Sequence, residues 1–435
     1  KIKNVKIIKK FSYLFIYAFG FFGNFLLWVQ NPFFVFEETS KIFYLAIIFI
    51  FVISIIFSFI CSIIINYNRN FPIIFLIPST YAVFEIIISS ILYGFPWITF
   101  SLITSNNYIY NFFLKNFGTI ITSFIVIQIF CLPYLLFKSF SKIKKNVIFL
   151  SFIIFLLVFV FIYNNFQDNG KYETKLDLEL FQINKPINLS DKSQLELNKK
   201  IFELISNSNA KILIFAENNY STLIINKNFK KIQKILKRDQ SVIIGGTRFE
   251  NNKYYNSLFY ITKNHVDFFD KKILVPFGEF LPFRSFLGVF SPISGPNDYQ
   301  NGTKERIIKL NDKLDFIPII CYEIIFHWKI INNKNFESNL IINITNDIWF
   351  GDLLGPYQHF YLTKLRAAEF NKPIIRVSNN GISGIINSNG KLVNNTKLNQ
   401  KTSLKSNIVL KNGKNFYYSH KLLNYLFLII LIFFI

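Results

Sequence analysis

Three residues whose side chains could together perform acyl chemistry stand at the ends of apolar runs in the second half of the chain. Cys321 ends the run DFIPIIC and is the only cysteine between Asn165 and His420. Glu217 ends KILIFAE, Lys271 precedes ILVPFGEFLPF, and neighbouring members of the set lie about 50 residues apart. A carboxylate can take a thiol proton, a lysine can stabilise developing charge, and a thiolate can attack a carbonyl carbon.

Each of these residues also has a simpler interpretation. A free cysteine is more often a buried structural residue than a nucleophile, and a single Glu or Lys in a loop is usually a solvated surface group. Cys61 and Cys131 lie in long apolar stretches, so Cys321 has no predicted disulfide partner in its own segment. The four histidines show no metal-ligand spacing, and we expect no metal.

An α/β domain is predicted to position the three residues. Five apolar runs end in polar residues, as buried strands do, and helical patterns separate them. The runs are residues 211–217, 241–246, 315–323, 339–347 and 372–381. Functional groups of such domains gather where buried strands end. We therefore expect the three residues to converge on one sheet edge.

The first part of the chain is far more apolar than the second. Of 435 residues 51% are hydrophobic, and only Glu37, Glu38 and Glu85 are acidic before position 165. About 20 apolar residues can cross a bilayer. Such stretches predict spans at residues 11–29, 42–65, 71–92, 113–137 and 147–163, and a short one at 422–435. The predicted organisation is a membrane domain over 1–164, a polar domain over 165–420 and a final span over 421–435.

Basic residues in short loops predict how the spans are oriented. Lysines are concentrated at 1–10, before the first span, and at 138–145, between the fourth and fifth. Both clusters fall on one side, so the N-terminus is predicted in the cytoplasm and the polar domain outside it. Glu85 lies at membrane depth, where a carboxylate needs a partner, and it is predicted to be a packing residue. A functional role is the alternative, but the sequence does not indicate which function that would be.

The net charge of +23 does not by itself indicate nucleic-acid binding. The chain is rich in Ile, Lys, Asn and Phe throughout, which is typical of an AT-rich coding sequence, and it carries no RNA- or DNA-binding motif. We therefore expect no nucleic-acid partner. The chain contains no methionine, so we expect its start to be missing or processed.

Several motifs together resemble the nitrilase superfamily and, within it, the apolipoprotein N-acyltransferase family. The motifs are LVPFGEFLP (274–282), CYEIIF (321–326), NDIWFG (346–351), GPYQHF (355–360) and SNNGIS (378–383), with FGFFGNFLLWV (19–29) and YGFPW (93–97) in the apolar part. The resemblance implies a polytopic α-helical membrane domain plus an α/β nitrilase-like extracytoplasmic domain, an α-β-β-α sandwich. It also implies eight spans, so two spans are expected to precede those seen here.

The same resemblance assigns roles to residues. It makes Glu217 the general base, Lys271 the oxyanion stabiliser and Cys321 the nucleophile. It marks three supporting residues in the active site: Glu279, Tyr322 and Glu323. The implied reaction moves an acyl chain from a membrane phospholipid to the α-amino group of a diacylglyceryl-cysteine lipoprotein, on the periplasmic side of the bacterial inner membrane. Because the ester is already activated, no cofactor is expected.

Two other functions stay open. One is a membrane-tethered amidase that hydrolyses a small C–N bond with the same three residues, and the other is a catalytically inactive relative. Apolar loops at 280–290 and 349–357 favour a lipid substrate, because such loops near a membrane can enter lipid or cover a lipid site. The presence of Glu217, Lys271 and Cys321 together disfavours an inactive relative.

Overall fold

The computed structural model describes residues 6–67, 73–106, 108–137, 173–187, 190–225, 229–287 and 297–411. The predicted spans at 147–163 and 422–435 lie outside these residues. So do the boundary predicted at position 164 and the lysine cluster at 138–145. These predictions stay as predictions.

Apolar helices form the first part of the chain, because a helix satisfies its backbone hydrogen bonds internally while its side chains face an apolar environment. They are α1 (Ile7–Phe25), α2 (Glu37–Ser40), α3 (Tyr44–Tyr67), α4 (Ile73–Ser90) and α5 (Tyr108–Phe137), with 3-10 helices at Leu27–Phe34 and Phe100–Thr104. α5 breaks at Gly118, whose φ of 73° lies in the left-handed region that favours glycine. Glu85 is buried and accepts from the Phe100 N–H at 2.9 Å, so it has the partner that the packing interpretation requires.

Among the described residues, two helical stretches are long and apolar enough to cross a membrane: Tyr44–Tyr67 and Asn111–Cys131. α1 and the 3-10 helix after it are bent by 50° and pass the same test only as a pair. The span predicted at 11–29 corresponds to this bent pair, because α1 ends at Phe25, where the chain turns toward the second part of the protein. The span predicted at 71–92 corresponds to α4, which is shorter than the other two.

The second part of the chain folds into two mixed β-sheets. The strands are β1 (Glu173–Gln182), β2 (Ile212–Phe215), β3 (Tyr220–Ile225), β4 (Ser241–Glu250), β5 (Lys253–Thr262), β6 (Val266–Asp270), β7 (Ile308–Asn311), β8 (Leu314–Ile320), β9 (Leu340–Thr345), β10 (Ile374–Ser378), β11 (Gly384–Ile386), β12 (Leu392–Asn395) and β13 (Thr402–Lys411). One sheet has the order β13-β1-β2-β4-β5-β6, with β3 beside β4, and the other has the order β12-β11-β10-β9-β8-β7. The parallel centre of each sheet, β1-β2-β4 and β8-β9-β10, requires crossovers between strands.

Five α-helices lie among the strands in the described residues of this part. They are α6 (Asp191–Asn207), α7 (Lys230–Ile235), α8 (Arg284–Leu287), α9 (His327–Ile330) and α10 (Leu354–Phe370). In β2, Leu213 and Phe215 pack with residues of α6 and α7, whereas Ile212 and Ile214 belong to the core between the sheets. Burial on both faces explains why β2 is apolar at every position. The predicted α-β-β-α sandwich is confirmed.

α10 joins the sandwich to the N-terminal helices. It is buried along almost its whole length, since one side packs on the second sheet and the other meets α5. Leu362 and Leu365 belong to the same hydrophobic core as Phe22 of α1 and Phe57 of α3. The two parts of the chain therefore share one core, and this arrangement holds the sheet ends near the helices.

Candidate active site

Each of the three predicted catalytic residues follows a strand, but the strands belong to different sheets. Glu217 lies two residues after β2 and Lys271 directly follows β6, both in the first sheet. Cys321 directly follows β8 in the second sheet. The prediction of one shared sheet edge is wrong, because the chain passes to the second sheet between β6 and β7. The three residues meet instead between the facing sheets.

The turn that presents Glu217 packs tightly against β4. A Cβ atom on Gly245 would lie 2.6 Å from the Cα of Glu217 and 2.8 Å from the Ala216 carbonyl oxygen. These distances are too short for real atoms, so a side chain at position 245 would displace Glu217. Glycine is therefore required in β4 so that the carboxylate can reach the space between the sheets.

The backbone of Cys321 is strained. Its φ is +51°, in the left-handed region, and it begins a 3-10 helix at Cys321–Ile325. A non-glycine residue in such a conformation costs about 1–3 kcal/mol and is often found at functional sites. The first N–H groups of a helix have no acceptor within the helix, so the Tyr322 N–H beside the thiol is suited to receive an oxyanion.

Two carboxylates share the ammonium group of Lys271. Lys271 Nζ lies 2.9 Å from Glu279 Oε2 and 3.5 Å from Glu217 Oε1. Asn256 Nδ2 donates to both carboxylates at 2.7 Å. The Cys321 thiol lies close enough to the Glu217 carboxylate for the two groups to shift each other's pKa. All five side chains are buried, so the predicted residues Glu217, Lys271, Cys321 and Glu279 form one cluster.

Burial sets the protonation states in this cluster. It raises the pKa of Glu217, an effect that Lys271 opposes and the negative charge of Glu279 reinforces. Burial also raises the pKa of Cys321, and Glu217 adds to that effect. Burial alone would lower the pKa of Lys271, but Glu279 and Glu217 together raise it. The resting site therefore holds a neutral thiol beside a base and a permanent positive charge.

The structure places Glu323 behind this cluster. Its carboxylate accepts from Arg306 at 2.7 and 2.9 Å and from the backbone N–H groups of Ile320, at 2.9 Å, and Lys272, at 2.8 Å. Arg306 outweighs the effect of burial and lowers the pKa of Glu323. One carboxylate thus binds the backbone next to both Cys321 and Lys271. It fixes the distance between the two sheets at the point where those residues meet.

The Tyr322 side chain points toward the N-terminal helices. Its hydroxyl donates to the Gly94 carbonyl oxygen at 3.3 Å, within the YGFPW motif. Its ring lies 5.2 Å from that of Phe326. The side chain therefore ties the loop of Cys321 to the segment that follows α4, while its backbone N–H remains beside Cys321.

The sequence analysis missed Asn256, which lies inside β5 and belongs to no motif.

The sequence analysis also gave no role to a second buried cluster, which lies beside Cys321. In this cluster, Arg376 donates to Asp347 at 2.6 Å, and His359 Nδ1 lies 2.8 Å from Asp347. All three are buried, and Arg376 and His359 lower the pKa of Asp347 although burial opposes them. Asp347 lies in the motif NDIWFG and His359 in GPYQHF, and Arg376 lies two residues before SNNGIS. The motifs therefore indicated where this cluster lies.

Gln358 also escaped the sequence reasoning, although it lies in the motif GPYQHF. Its Oε1 accepts from the indole N–H groups of Trp28, at 3.0 Å, and Trp97, at 2.7 Å. Its Nε2 donates to the carbonyl oxygen of Phe25 at 2.9 Å, where α1 ends. The next residue, His359, stacks on Trp97 with ring centres 5.4 Å apart. We call these residues the Gln358 junction.

The two apolar loops are partly buried and partly exposed. In the loop at 349–357, Phe350 is buried against Trp28 and Trp97, so that residue is part of the core. Leu353 is 71% exposed, and Phe286 of the other loop is 86% exposed. Residues 288–296 lie outside the described part of the chain. The exposed residues are the ones that an apolar partner can contact.

Two family models match the chain. The carbon-nitrogen hydrolase model matches residues 189–416, and the model of the apolipoprotein N-acyltransferase N-terminal domain matches residues 6–132. Together they cover the sandwich except β1, and the described N-terminal helices up to residue 132. The first of them covers all three residues of the predicted triad, and both match in the expected order along the chain.

Several proteins named apolipoprotein N-acyltransferase are similar to the chain. The protein from Wigglesworthia glossinidia brevipalpis is 34% identical over 72% of this chain and 65% of its own length. The Rickettsia typhi protein is 30% identical over 77% of this chain and 69% of its own length. The Allorhizobium ampelinum protein is 38% identical over 39% of this chain and 34% of its own length. The chain thus spans from about a third to about two thirds of these relatives.

Solved structures of the sandwich type are also similar. XC1258 from Xanthomonas campestris, a CN-hydrolase superfamily protein, is 14% identical with a TM-score of 0.41, covering 54% of this chain and 91% of that one. Saccharomyces cerevisiae Nit3, a member of the nitrilase superfamily, is 14% identical with a TM-score of 0.41, covering 57% of this chain and 94% of that one.

Proposed function

The chain belongs to the apolipoprotein N-acyltransferase family, and from that premise we propose that it transfers an acyl chain from a membrane phospholipid to the α-amino group of the N-terminal diacylglyceryl-cysteine of lipoproteins. The observation that carries the proposal is the buried cluster in which Cys321 neighbours Glu217 and Glu217 faces Lys271. A thiol, a base and a fixed cation are what thioester chemistry requires.

In the first half of the reaction, Glu217 takes the proton of Cys321 as the sulfur attacks the ester carbonyl of the phospholipid. The tetrahedral intermediate carries an oxyanion, which Lys271 and the Tyr322 N–H stabilise. Removal of one such donor typically costs about 3–4 kcal/mol of transition-state stabilisation. Glu217 then returns the proton to the leaving alkoxide. A lysophospholipid departs, and the acyl chain remains on Cys321 as a thioester.

In the second half, the free α-amino group of the lipoprotein attacks the thioester carbonyl. Glu217 accepts a proton from the amine, the C–S bond breaks, and the thiol of Cys321 is restored with that proton. Burial supports this step, because a site that excludes water protects the thioester from hydrolysis. The raised pKa of Glu217 also makes its carboxylate a stronger base than that of an exposed glutamate.

We further propose that the protein is a multi-pass protein of the bacterial inner membrane, with its sandwich on the periplasmic side. The apolar helices Tyr44–Tyr67 and Asn111–Cys131 support membrane insertion, and the lysines at 1–10 and 138–145 support the orientation. A reporter enzyme fused after Lys145 should be active only in the cytoplasm, and one fused after Asn169 only outside it. The opposite pattern would overturn the periplasmic placement.

The nucleophile is tested by intact mass spectrometry of the purified protein after incubation with phospholipid. The unmodified chain should gain the mass of one acyl chain, and the adduct should be removed by hydroxylamine, as a thioester is. Cys321→Ala should gain no adduct, whereas Cys61→Ala and Cys131→Ala serve as matched controls and should acylate normally. An acylated Cys321→Ala protein would remove Cys321 from the mechanism.

A further inference from the structure

A cavity of about 390 Å³ opens beside the catalytic lysine, between the two parts of the protein. Leu92 and Tyr93, which follow α4, form one wall, and Lys272, Ile273 and Phe280, which follow Lys271 in the chain, form another. Lys329 of α9 closes a third side. The volume is within the range of roughly 300–1,000 Å³ that small ligands occupy. We call this space the α4 cleft.

The α4 cleft carries two lysines, Lys272 and Lys329, that form no salt bridge with a described carboxylate, although Glu305 and Glu323 act on Lys272 at longer range. The salt bridges of the described part of the chain include neither Lys272 nor Lys329. One carboxylate, Asp298, lines the cleft and pairs with Arg284, while Glu323 pairs with Arg306 and Glu305 with Lys334. Lys329 Nζ lies over the Phe326 ring at 5.2 Å, a contact that leaves its N–H donors available. The ammonium groups of Lys272 and Lys329 are therefore available to an anion.

The opposite wall of the α4 cleft is apolar and faces the side on which the membrane helices lie. Leu92 is 86% exposed and Tyr93 is 43% exposed, and both follow the apolar helix α4. Leu92 has a φ of 54°, a conformation that a leucine adopts only at a cost. A small hydrophilic anion would gain nothing from this wall. A ligand that joins an anionic group to an alkyl chain would contact both walls at once.

We propose that the α4 cleft binds the phosphate group of the donor phospholipid through Lys272 and Lys329, while the alkyl chains of the lipid lie against Leu92 and Tyr93. The proposal rests on the acyl transfer proposed above and names where its lipid substrate is held. Lysine ammonium groups bind phosphate as point charges, so the cleft would accept phospholipids with different head groups. Since Lys272 is adjacent to Lys271, a phosphate held there places the glycerol esters near Cys321.

Binding is measured directly with the full chain carrying Cys321→Ala, which prevents turnover. Native mass spectrometry in detergent compares three probes: a lysophosphatidylglycerol, a monoacylglycerol with the same chain, and glycerol 3-phosphate. The lysophospholipid should bind most tightly. Lys272→Gln and Lys329→Gln should each weaken its binding roughly five- to tenfold, as expected for loss of one charged hydrogen bond. Neither substitution should change monoacylglycerol binding, and Lys231→Gln, on the exposed side of α7, is the control of equal charge.

Each outcome decides something. Equal binding of lysophospholipid and monoacylglycerol, or unchanged binding in both lysine variants, would overturn the α4 cleft as a phosphate site. If glycerol 3-phosphate displaced the lysophospholipid efficiently, the cleft would be a site for small phosphates instead. Acyl-adduct formation on the native Cys321 reports separately on the reaction. If the adduct forms at the normal rate in both lysine variants, the proposed function holds and the cleft is not the phosphate site. If lipid binding depends on the lysines but no adduct forms, the cleft binds phosphate and the proposed function fails.

Discussion

The Lys271 ammonium group lies at different distances from two carboxylates, and this difference in distance indicates that the carboxylates have different roles. The shorter contact is to Glu279, at 2.9 Å, and the longer one is to Glu217, at 3.5 Å. Glu279 also accepts from the Val275 N–H at 2.8 Å, so it is held on two sides. Glu279 therefore positions the ammonium group, while Glu217 keeps its contact with the thiol. A base that must gain and lose a proton needs this weaker attachment.

Glu217→Gln should slow thioester formation by roughly 100- to 10,000-fold, because the amide preserves the shape but cannot accept the thiol proton. Lys271→Met should slow the same step by roughly 100- to 1,000-fold, because it removes the charge that stabilises the oxyanion. Single-turnover acylation, followed by mass spectrometry, measures both rates. Glu196→Gln, on the exposed face of α6, is the control. A near-normal rate in either active-site variant would remove that residue from the triad.

The same roles predict how the rate depends on pH. Thioester formation requires Glu217 as a carboxylate, and burial raises its pKa above the usual range of a glutamate. The rate should therefore fall as the pH is lowered through that raised pKa, at a higher pH than an exposed glutamate would give. Lys271, whose pKa its two carboxylates raise, should stay charged and cause no loss near neutral pH. A rate that stays constant down to the ordinary pKa of glutamate would contradict the assignment of the base.

The sequence predicted site residues that lie next to a recognisable apolar run. It missed Asn256, whose contacts are with residues far away in the sequence. Cys321 and Glu217 each end an apolar run and Lys271 precedes one, which are local patterns. Asn256 touches Glu217 and Glu279 only because β5 lies between the strands that precede them. No local pattern in the polar residues of β5 indicates this contact. Its role depends on the order of strands in the sheet.

At the scale of elements, α10 connects the N-terminal helices to the loop beside Cys321. Gln358 binds two tryptophans and the end of α1, and the neighbouring His359 contacts Asp347. Asp347 begins the 3-10 helix Asp347–Phe350, whose last residue packs on Trp28. The N-terminal helices and the loop beside Cys321 therefore hold one another in place through one turn of α10.

Gln358→Leu should loosen this connection without touching the triad. The leucine leaves two buried indole N–H groups and one carbonyl group without their partner, and each unsatisfied group costs about 1–3 kcal/mol. We expect a lower thermal unfolding temperature and slower thioester formation, while the Cys321 thiol still reacts with a small alkylating reagent. Gln233→Leu, which removes a single hydrogen bond on α7, is the matched control. Equal effects of the two substitutions would show that the Gln358 junction has no special role.

The strands that the sequence predicted are those with a long run of apolar residues. β2, β8, β9 and β10 were predicted because burial on both faces makes them continuously apolar. β13, TSLKSNIVLK, alternates polar and apolar residues and pairs with β1 along its whole length, and no strand was predicted there. The bend after Phe25 was missed as well. It depends on contacts with Gln358, which lies more than 300 residues away in the chain.

At the scale of the whole molecule, the apolar helices and the sandwich form one hydrophobic core, and exposed apolar residues remain around it. Phe286 is 86% exposed and Leu354 is 42% exposed, on two different loops of the sandwich. An amidase for small soluble substrates gains nothing from such residues, because exposed apolar surface promotes aggregation. An enzyme that admits two lipid substrates needs them, since each alkyl chain must leave one apolar environment and enter another.

Phe286→Asp and Leu354→Asp should therefore slow acyl transfer to a diacylated lipopeptide while leaving the Cys321 thiol reactive toward a small alkylating reagent. An aspartate at either exposed position would lose hydration when an alkyl chain passes over it, whereas a small reagent avoids it. Leu195→Asp, on the exposed side of α6, makes the same substitution far from both loops and should change nothing. The deciding comparison gives the native chain phospholipid with the lipopeptide and, separately, a panel of small amides. Lipopeptide acylation without release of ammonia supports the transferase. Release of ammonia from the amides, with no acylated lipopeptide, would refute it and leave the amidase, because the same triad would then pass its acyl group to water.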